Sequence, residues 1–158
     1  MELQQLVEFV RALEGALVLA PRAGSDAPEI AWGDFFCYYA PDGEVPQNVQ
    51  PYATVVTKDY PGDTRSELNG DGRWRVNIHV DRDAFRELAP TPPDALPDAA
   101  FAEADTFLPH PVYGSLGWVS VVNPGAGTGD AVLDLVRQAH DAARTRYERR
   151  AAVGDQER

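Results

Sequence analysis

The sequence predicts an α+β domain, a single antiparallel sheet of about four to five strands packed by an N-terminal helix and a long C-terminal helix. Two observations lead there. Strand-like segments follow one another through short turn clusters, without the helices that alternate with strands in parallel sheets. Helical apolar spacing is confined mainly to the two ends of the chain. At 158 residues with 44% hydrophobic content, the chain suits one core, expected over residues 1–150, with a disordered tail over 151–158.

Leu3, Leu6, Val7, Val10 and Leu13 recur at helical spacing and Gly15 stands where a terminating glycine belongs, so a first helix is expected over residues 2–14. A short strand over 16–20 follows, and Pro21, Gly24, Ser25, Asp26 and Pro28 break regularity. The aromatic run from Ile30 to Tyr39 reads as a strand ended by Pro41-Asp42-Gly43. Residues 52–57 form another. Beyond the Asn69-Gly70-Asp71-Gly72 turn, residues 73–80 alternate apolar and polar side chains at period two. Asp81 is placed to cap a short helix carrying Phe85 and Leu88, and the prolines between 90 and 97 rule out regular structure after it. Trp118 to Val122 is the last strand. Thr128 or Asp130 should start the closing helix, whose stripe is Val132, Leu133, Val136, Ala139, Ala143 and Tyr147.

No apolar run approaches the roughly 20 residues that span a bilayer. The first residues lack the basic and apolar regions of a signal peptide, so the expected compartment is the cytoplasm and no membrane partner is expected. Cys37 has no cysteine partner and sits in a strand pattern, as a small buried hydrophobe would. A net charge of −11 repels nucleic-acid phosphates. His79, His110 and His140 lack metal-ligand spacing, so neither metal nor cofactor is expected. Gly125-Ala126-Gly127-Thr128-Gly129 has the look of a phosphate loop but lacks its lysine and its dinucleotide spacing.

The polar connection 57–66 is richer in charges and hydrogen-bonding groups than a hairpin turn requires, and it holds Lys58, the one basic residue of the 14 that is not arginine. Arg73, Arg75, Asn77 and His79 project from one face of their strand. That face could receive an anion through bidentate arginine contacts, or it could be a solvated face with no further role. His110, held between Pro109 and Pro111, suits a positioned acid or base, or a loop residue that caps a carbonyl. Tyr60 and Tyr113 could supply hydroxyls or simply pack with wet tips.

The runs Trp32-Gly33-Asp34-Phe35-Phe36, Ala53-Thr54-Val55-Val56-Thr57-Lys58-Asp59-Tyr60, Arg75-Val76-Asn77-Ile78, Pro109-His110-Pro111-Val112-Tyr113 and Trp118-Val119-Ser120-Val121-Val122-Asn123-Pro124 resemble an uncharacterised bacterial family, a domain of unknown function, over about residues 1–148. The closing strand, turn and helix also look like the end of MmcQ/YjbR-like proteins. That resemblance implies a CyaY-like fold and a DNA-binding label, though Ala139-His140 stands where those proteins usually show Ser-Tyr. His79 is not a feature of the family's Asn-Ile strand, which shifts weight to Lys58, Asp59, Asn77, His110 and Tyr113.

Three functions follow. The first is binding of a small anionic metabolite, with or without cofactor-free proton-transfer chemistry. Lys58 and Arg75 would hold the anion, Asn77, Tyr60, His79 and Tyr113 would line it, and His110 would move the proton with Asp59 orienting it. The second is a protein-interaction module, and a homodimer is left open. The third, least favoured by the charge, is nucleic-acid binding through Arg73 and Arg75. A pocket joining His110 to Lys58 or Asp59 points to the first, and an open apolar patch points to the second. Duplex DNA at physiological salt should give no measurable binding in a fluorescence titration, since even ordinary non-specific binders manage only about 10⁻⁴ to 10⁻⁶ M. Tight, salt-sensitive binding would reverse this expectation.

Overall fold

The structure is a computed structural model that describes residues 1–156. In chain order the elements are α1 (Leu3–Arg11), β1 (Ala16–Leu19), β2 (Phe35–Tyr39), β3 (Ala53–Val56), β4 (Arg75–His79), α2 (Arg82–Leu88), β5 (Leu108–Pro109), β6 (Trp118–Val122) and α3 (Gly129–Gln156). The strands form one open antiparallel sheet in the order β1-β2-β3-β4-β6-β5. Six strands exceed the four to five expected. The extra one is β5, whose two residues pair with Ser120 and Val119. A pair of residues containing proline carries no period to read, and only the neighbouring strand makes it a strand. Proline is tolerated there because β5 lies at the sheet edge.

One sheet face is the core. Cys37, Ala53, Val55, Val76, Ile78, Val119 and Val121 meet Leu6 and Val10 of α1 and Val132, Leu135, Val136 and Ala139 of α3. The helical stripes and the strand alternation were both legible as patterns, and they meet here. Burial drives the Cys37 thiol up to about 12, so it stays protonated as a small apolar filler. Among the described residues, no helix is long and apolar enough to cross a membrane.

Several boundaries differ from the patterns. α1 ends at Arg11, and the chain tightens through Ala12 N–H to Glu8 C=O and Leu13 N–H to Val10 C=O. Gly15 then turns at φ +72 with its backbone against the Tyr39 ring, where a Cβ would collide. The strand expected over 30–39 begins only at Phe35. Residues Glu29–Ala31 form a 3₁₀ turn, Trp32 Nε1 donates to Ala27 C=O, and Gly33 sits at φ +88. Asp81 caps α2 through its carboxylate, which accepts from Ala84 N–H at 2.8 Å. The expected irregular stretch after α2 contains 3₁₀ turns at Pro93–Ala95 and Asp98–Ala102. α3 runs through Gln156, past residue 151 where a disordered tail was expected, and residues 157–158 lie outside the described residues.

His140 ties α3 to the other end of the sheet. Its Nε2 faces Glu14 C=O at 2.7 Å and its Nδ1 faces the Tyr52 hydroxyl at 2.9 Å, so the carbonyl sets the tautomer, with hydrogen on Nε2.

The glycine loop before α3 does hold an anion, and the anion is the chain's own. The Asp105 carboxylate accepts from Gly125 N–H and Gly127 N–H at 2.8 Å, Thr128 N–H at 2.9 Å and the Thr128 hydroxyl at 2.6 Å. Glycine matters at 127 because a Cβ there would lie 2.8 Å from Asp105 Oδ2. The Thr128 hydroxyl first, and then the glycine N–H groups, pull the Asp105 carboxyl down to about 2. A carboxyl lowered on folding stabilises the protein fully above its ordinary range, and that contribution fades as pH falls through about 4 toward 2. Asp105→Ala should therefore flatten that part of the acid unfolding curve and speed amide exchange at Gly127 and Thr128, both readable by NMR.

Candidate functional site

The second sheet face carries Thr54, Arg75, Asn77 and Ser120, of which Arg75, Asn77 and Ser120 are buried and Thr54 is half-buried. A solvated face was one reading of the 73–80 strand. Instead the 57–68 connection and the 98–111 segment fold over it, with Leu68 and Phe101 each 1% exposed. Local turn chemistry shapes the first cover. Pro61-Gly62 occupies the centre of a turn in which Tyr60 and Asp63 exchange backbone hydrogen bonds, with Gly62 at φ +78. Asp59 closes the base of this connection, accepting from Leu68 N–H at 2.8 Å while its own N–H donates to Asn69 Oδ1 at 3.0 Å. The turn aims Asp63 inward.

Arg75, 2% exposed, is the hub. Its Nη1 and Nη2 donate to the two Asp63 oxygens at 3.0 and 2.6 Å, a bidentate pair. Nη1 also reaches Ser66 Oγ at 2.9 Å and Nε donates to Asn77 Oδ1 at 2.8 Å. Asn77 extends the network sideways, receiving the Ser120 hydroxyl at 2.8 Å and donating to Thr54 Oγ1 at 3.0 Å. Thr54, Asn77 and Ser120 are direct register partners across β3, β4 and β6, so a polar row crosses the sheet. Burial alone would raise the Asp63 carboxyl. The Arg75 bonds and charge outweigh it, and the carboxyl ends below its ordinary range.

His110 joins the hub from above. Its Nδ1 accepts from both Val112 N–H and Tyr113 N–H at 3.0 Å, which leaves the ring hydrogen on Nε2. Nε2 then faces Asp63 Oδ2 at 3.9 Å and Arg75 Nη2 at 3.3 Å. Two donors face each other in the latter contact, so it is a close approach and not a hydrogen bond. Burial first, and the Arg75 charge next, lower the His110 pKa to about 4 although Asp63 partly opposes them. The ring is neutral at physiological pH with its lone pair occupied.

A second cluster surrounds Asp34, which is 0% exposed. Its Oδ1 accepts from Thr57 N–H, the Thr57 hydroxyl and Lys58 Nζ at 2.7 to 2.8 Å, and its Oδ2 accepts the Tyr60 hydroxyl at 2.5 Å. Burial and then the Asp34 carboxylate push the Tyr60 phenol well above its ordinary range.

Of the residues singled out in sequence, Arg75, Asn77 and His110 share one network, with the Tyr113 ring tilted over His110 at 5.0 Å and half exposed. Lys58 and Tyr60 belong to the other. Asp59 holds its own loop, and the carboxylate facing His110 is Asp63. His79 lies exposed at the strand end, with Nε2 3.1 Å from Leu116 C=O and its ring against Trp118. Arg73 is spent on the carbonyls of Ser66, Glu67 and Ala102. Asp63 and Ser66 lie in the polar connection singled out in sequence but were given no individual role, and neither were Asp34, Thr54 and Ser120. Strand parity alone could have placed Thr54 and Ser120 on the face of Asn77, and a carboxylate inside the aromatic run Trp32–Phe36 was a signal for Asp34.

The gap between Arg75, Ser66, Phe101 and Pro111 has no room for a water molecule, and among the described residues every buried side-chain nitrogen and oxygen has a partner. No three His, Cys, Asp or Glu side chains among the described residues are grouped to hold a metal ion. Open space lies outside, in a groove of about 670 Å³ between α2 and the 111–115 segment. Phe85, Pro92, Pro93, Pro111 and Val112 make it apolar, and Arg86 and Asp94 stand on its lining.

A family model described as a family of unknown function (DUF6194) matches residues 1–152, and the chain belongs to that family. No curated protein and no solved structure matches the chain, so the resemblance to MmcQ/YjbR-like proteins finds no support in these comparisons.

Removing the hub should be costly. Arg75→Met leaves Asp63 buried without its partner and should lower stability by about 3 to 5 kcal/mol in urea melts. His110→Ala strands two N–H groups and should cost about 1 to 3 kcal/mol. Because the folded His110 pKa is depressed to about 4 from 6.5, stability should be full above 6.5 and fall as pH drops toward 4. Urea midpoints for wild type and His110→Gln across that window check the sign, since the variant should lose that part of the slope.

Proposed function

We propose that this member of the unknown-function family is a protein-interaction module whose recognition surface is the apolar groove between α2 and the 111–115 segment. The observation that carries the reading is the wall of that groove. His110 anchors Val112 and Tyr113 by their backbone N–H groups, and Arg65 anchors Pro111 by its carbonyl at 2.5 Å. The loop is thereby held in place while Val112, on the groove's lining, stays 46% exposed, and Tyr113 and Leu116, elsewhere on the same loop, stay 52 and 65% exposed. Rigid apolar side chains at a surface lose little entropy on binding. The fitting occupant is a partner segment that inserts apolar side chains and carries basic residues beside them, because a net charge of −11 steers cations toward the protein, while the lining itself is balanced between Arg86 and Asp94.

An anionic-metabolite site has less support. Lys58 is paired with Asp34 and Arg75 with Asp63, so neither brings uncompensated positive charge. His110 offers no free lone pair for proton transfer, which weighs against cofactor-free acid-base chemistry there. Arg73 and Arg75 are turned inward, away from any phosphate backbone.

NMR titration with a leucine- and proline-containing peptide flanked by arginines should shift the amides of Val112, Gly114 and Ser115, with a dissociation constant on the order of 10⁻⁵ M, typical of transient recognition. Val112→Glu should remove the shifts and leave the fold intact. Absence of shifts with that peptide, together with shifts at Lys58, Tyr60 and Asp63 on adding a panel of small carboxylates and phosphates, would return the reading to a metabolite site.

A further inference from the structure

β1 is one end of the sheet, and its alternation decides which backbone groups face outward. Gly15 C=O accepts from Ala40 N–H, and the register continues Ala16↔Tyr39 through Leu19↔Phe36. Antiparallel pairs alternate, so Leu17 and Leu19 turn their backbone groups to β2, while Ala16, Val18 and Ala20 turn theirs away. Ala16 N–H is taken by Leu13 C=O. Within β1, Val18 is therefore the position with both N–H and C=O outward, and among the described residues no loop or side chain bonds to them. The strand reads Ala-Leu-Val-Leu, with none of the charges, prolines or bulges by which natural proteins blunt an edge. Leu19 is 40% exposed.

We propose that β1 pairs with β1 of a second copy of this chain, antiparallel about a two-fold axis at Val18, joining the two sheets edge to edge. In this register Val18 N–H and C=O bond reciprocally to those of the other Val18, and the backbone pairing ends there, because Leu13 C=O already occupies Ala16 N–H. The pairing is isologous and closes on itself, so it ends at a dimer. Side-chain placement agrees. Leu19 of each copy comes beside Leu17 of the other, covering the exposed leucine. The shortness of the pairing and the like net charges of two copies keep the dimer weak. The proposal is independent of the apolar groove.

Sedimentation equilibrium on the full chain, over roughly 5 to 300 µM at near-physiological salt, tests it. Wild type should show a concentration-dependent mass approaching twice the monomer. Val18→Pro removes the outward N–H, and Leu19→Glu places a charge against Leu17 of the other copy. Each should weaken dimerisation at least tenfold, with circular dichroism unchanged. Leu19→Glu alters an exposed side chain and keeps the test decisive should Val18→Pro unfold. A wild type that stays monomeric throughout, a dimer constant within about twofold of wild type in Leu19→Glu, or loss of the dimer on Val112→Glu instead would overturn the proposal.

Discussion

The buried pair of Arg75 and Asp63 is the constraint around which one half of the molecule is arranged. A guanidinium at 2% exposure is tolerable only when its charge is matched and its N–H groups are occupied. Asp63 supplies the charge, and Ser66 and Asn77 take donors that would otherwise be stranded. Asn77 in turn depends on Thr54 and Ser120. A sheet face bearing such a polar row cannot be covered by apolar residues alone. It needs a cover that brings its own acceptors, and the 57–68 connection brings them. Buried ion pairs of this kind contribute little net stability compared with apolar packing, but few arrangements of the covering loops satisfy all of their bonds at once. The pair thus bears more on which loop conformation is adopted than on how stable the fold is.

Carboxylates inside an acidic protein follow one pattern. Asp34 and Asp105 each gather four donors from segments distant in sequence, and Asp63 takes both forks of the Arg75 guanidinium. Each converts an irregular segment into a fixed one. Asp34 holds the start of the 57–68 connection, Asp63 presses its turn onto β4, and Asp105 organises the entry to α3. The histidines divide similarly: His140 bridges helix and sheet, His110 shapes a loop, and His79 ends a strand. With so many interior polar groups mutually occupied, recognition falls to what remains outside, an apolar groove and an open strand edge.

Much of the architecture was legible along the chain. The helical stripes of α1 and α3, the Asp81 cap and the period-two alternation of β4 are local signals, and each marks an element that exists. Legibility failed where neighbours decide. β5 is a strand only because β6 lies beside it, and the 30–39 aromatic run was interrupted by Gly33 at positive φ and by the burial of Asp34. For the candidate site, sequence singled out Arg75, Asn77 and His110, which do meet. It paired His110 with Asp59 instead of Asp63, because four positions along a loop cannot be ranked until the Pro61-Gly62 turn is in place.

By itself, then, the sequence determined the α+β class, the two helices that bracket the sheet, the apolar face of β4 and the concentration of polar groups between β3 and β4. These depend on interactions within a few residues and on periodicity, which the chain carries openly. Tertiary structure decided whether the polar face of β4 meets water or protein, which carboxylate neutralises which cation, and that His110 is a neutral acceptor of two N–H groups. Those outcomes depend on desolvation and on partners as far apart in sequence as Arg65 and Pro111 or Asp63 and His110. Neither has any expression in the spacing of residues along the chain.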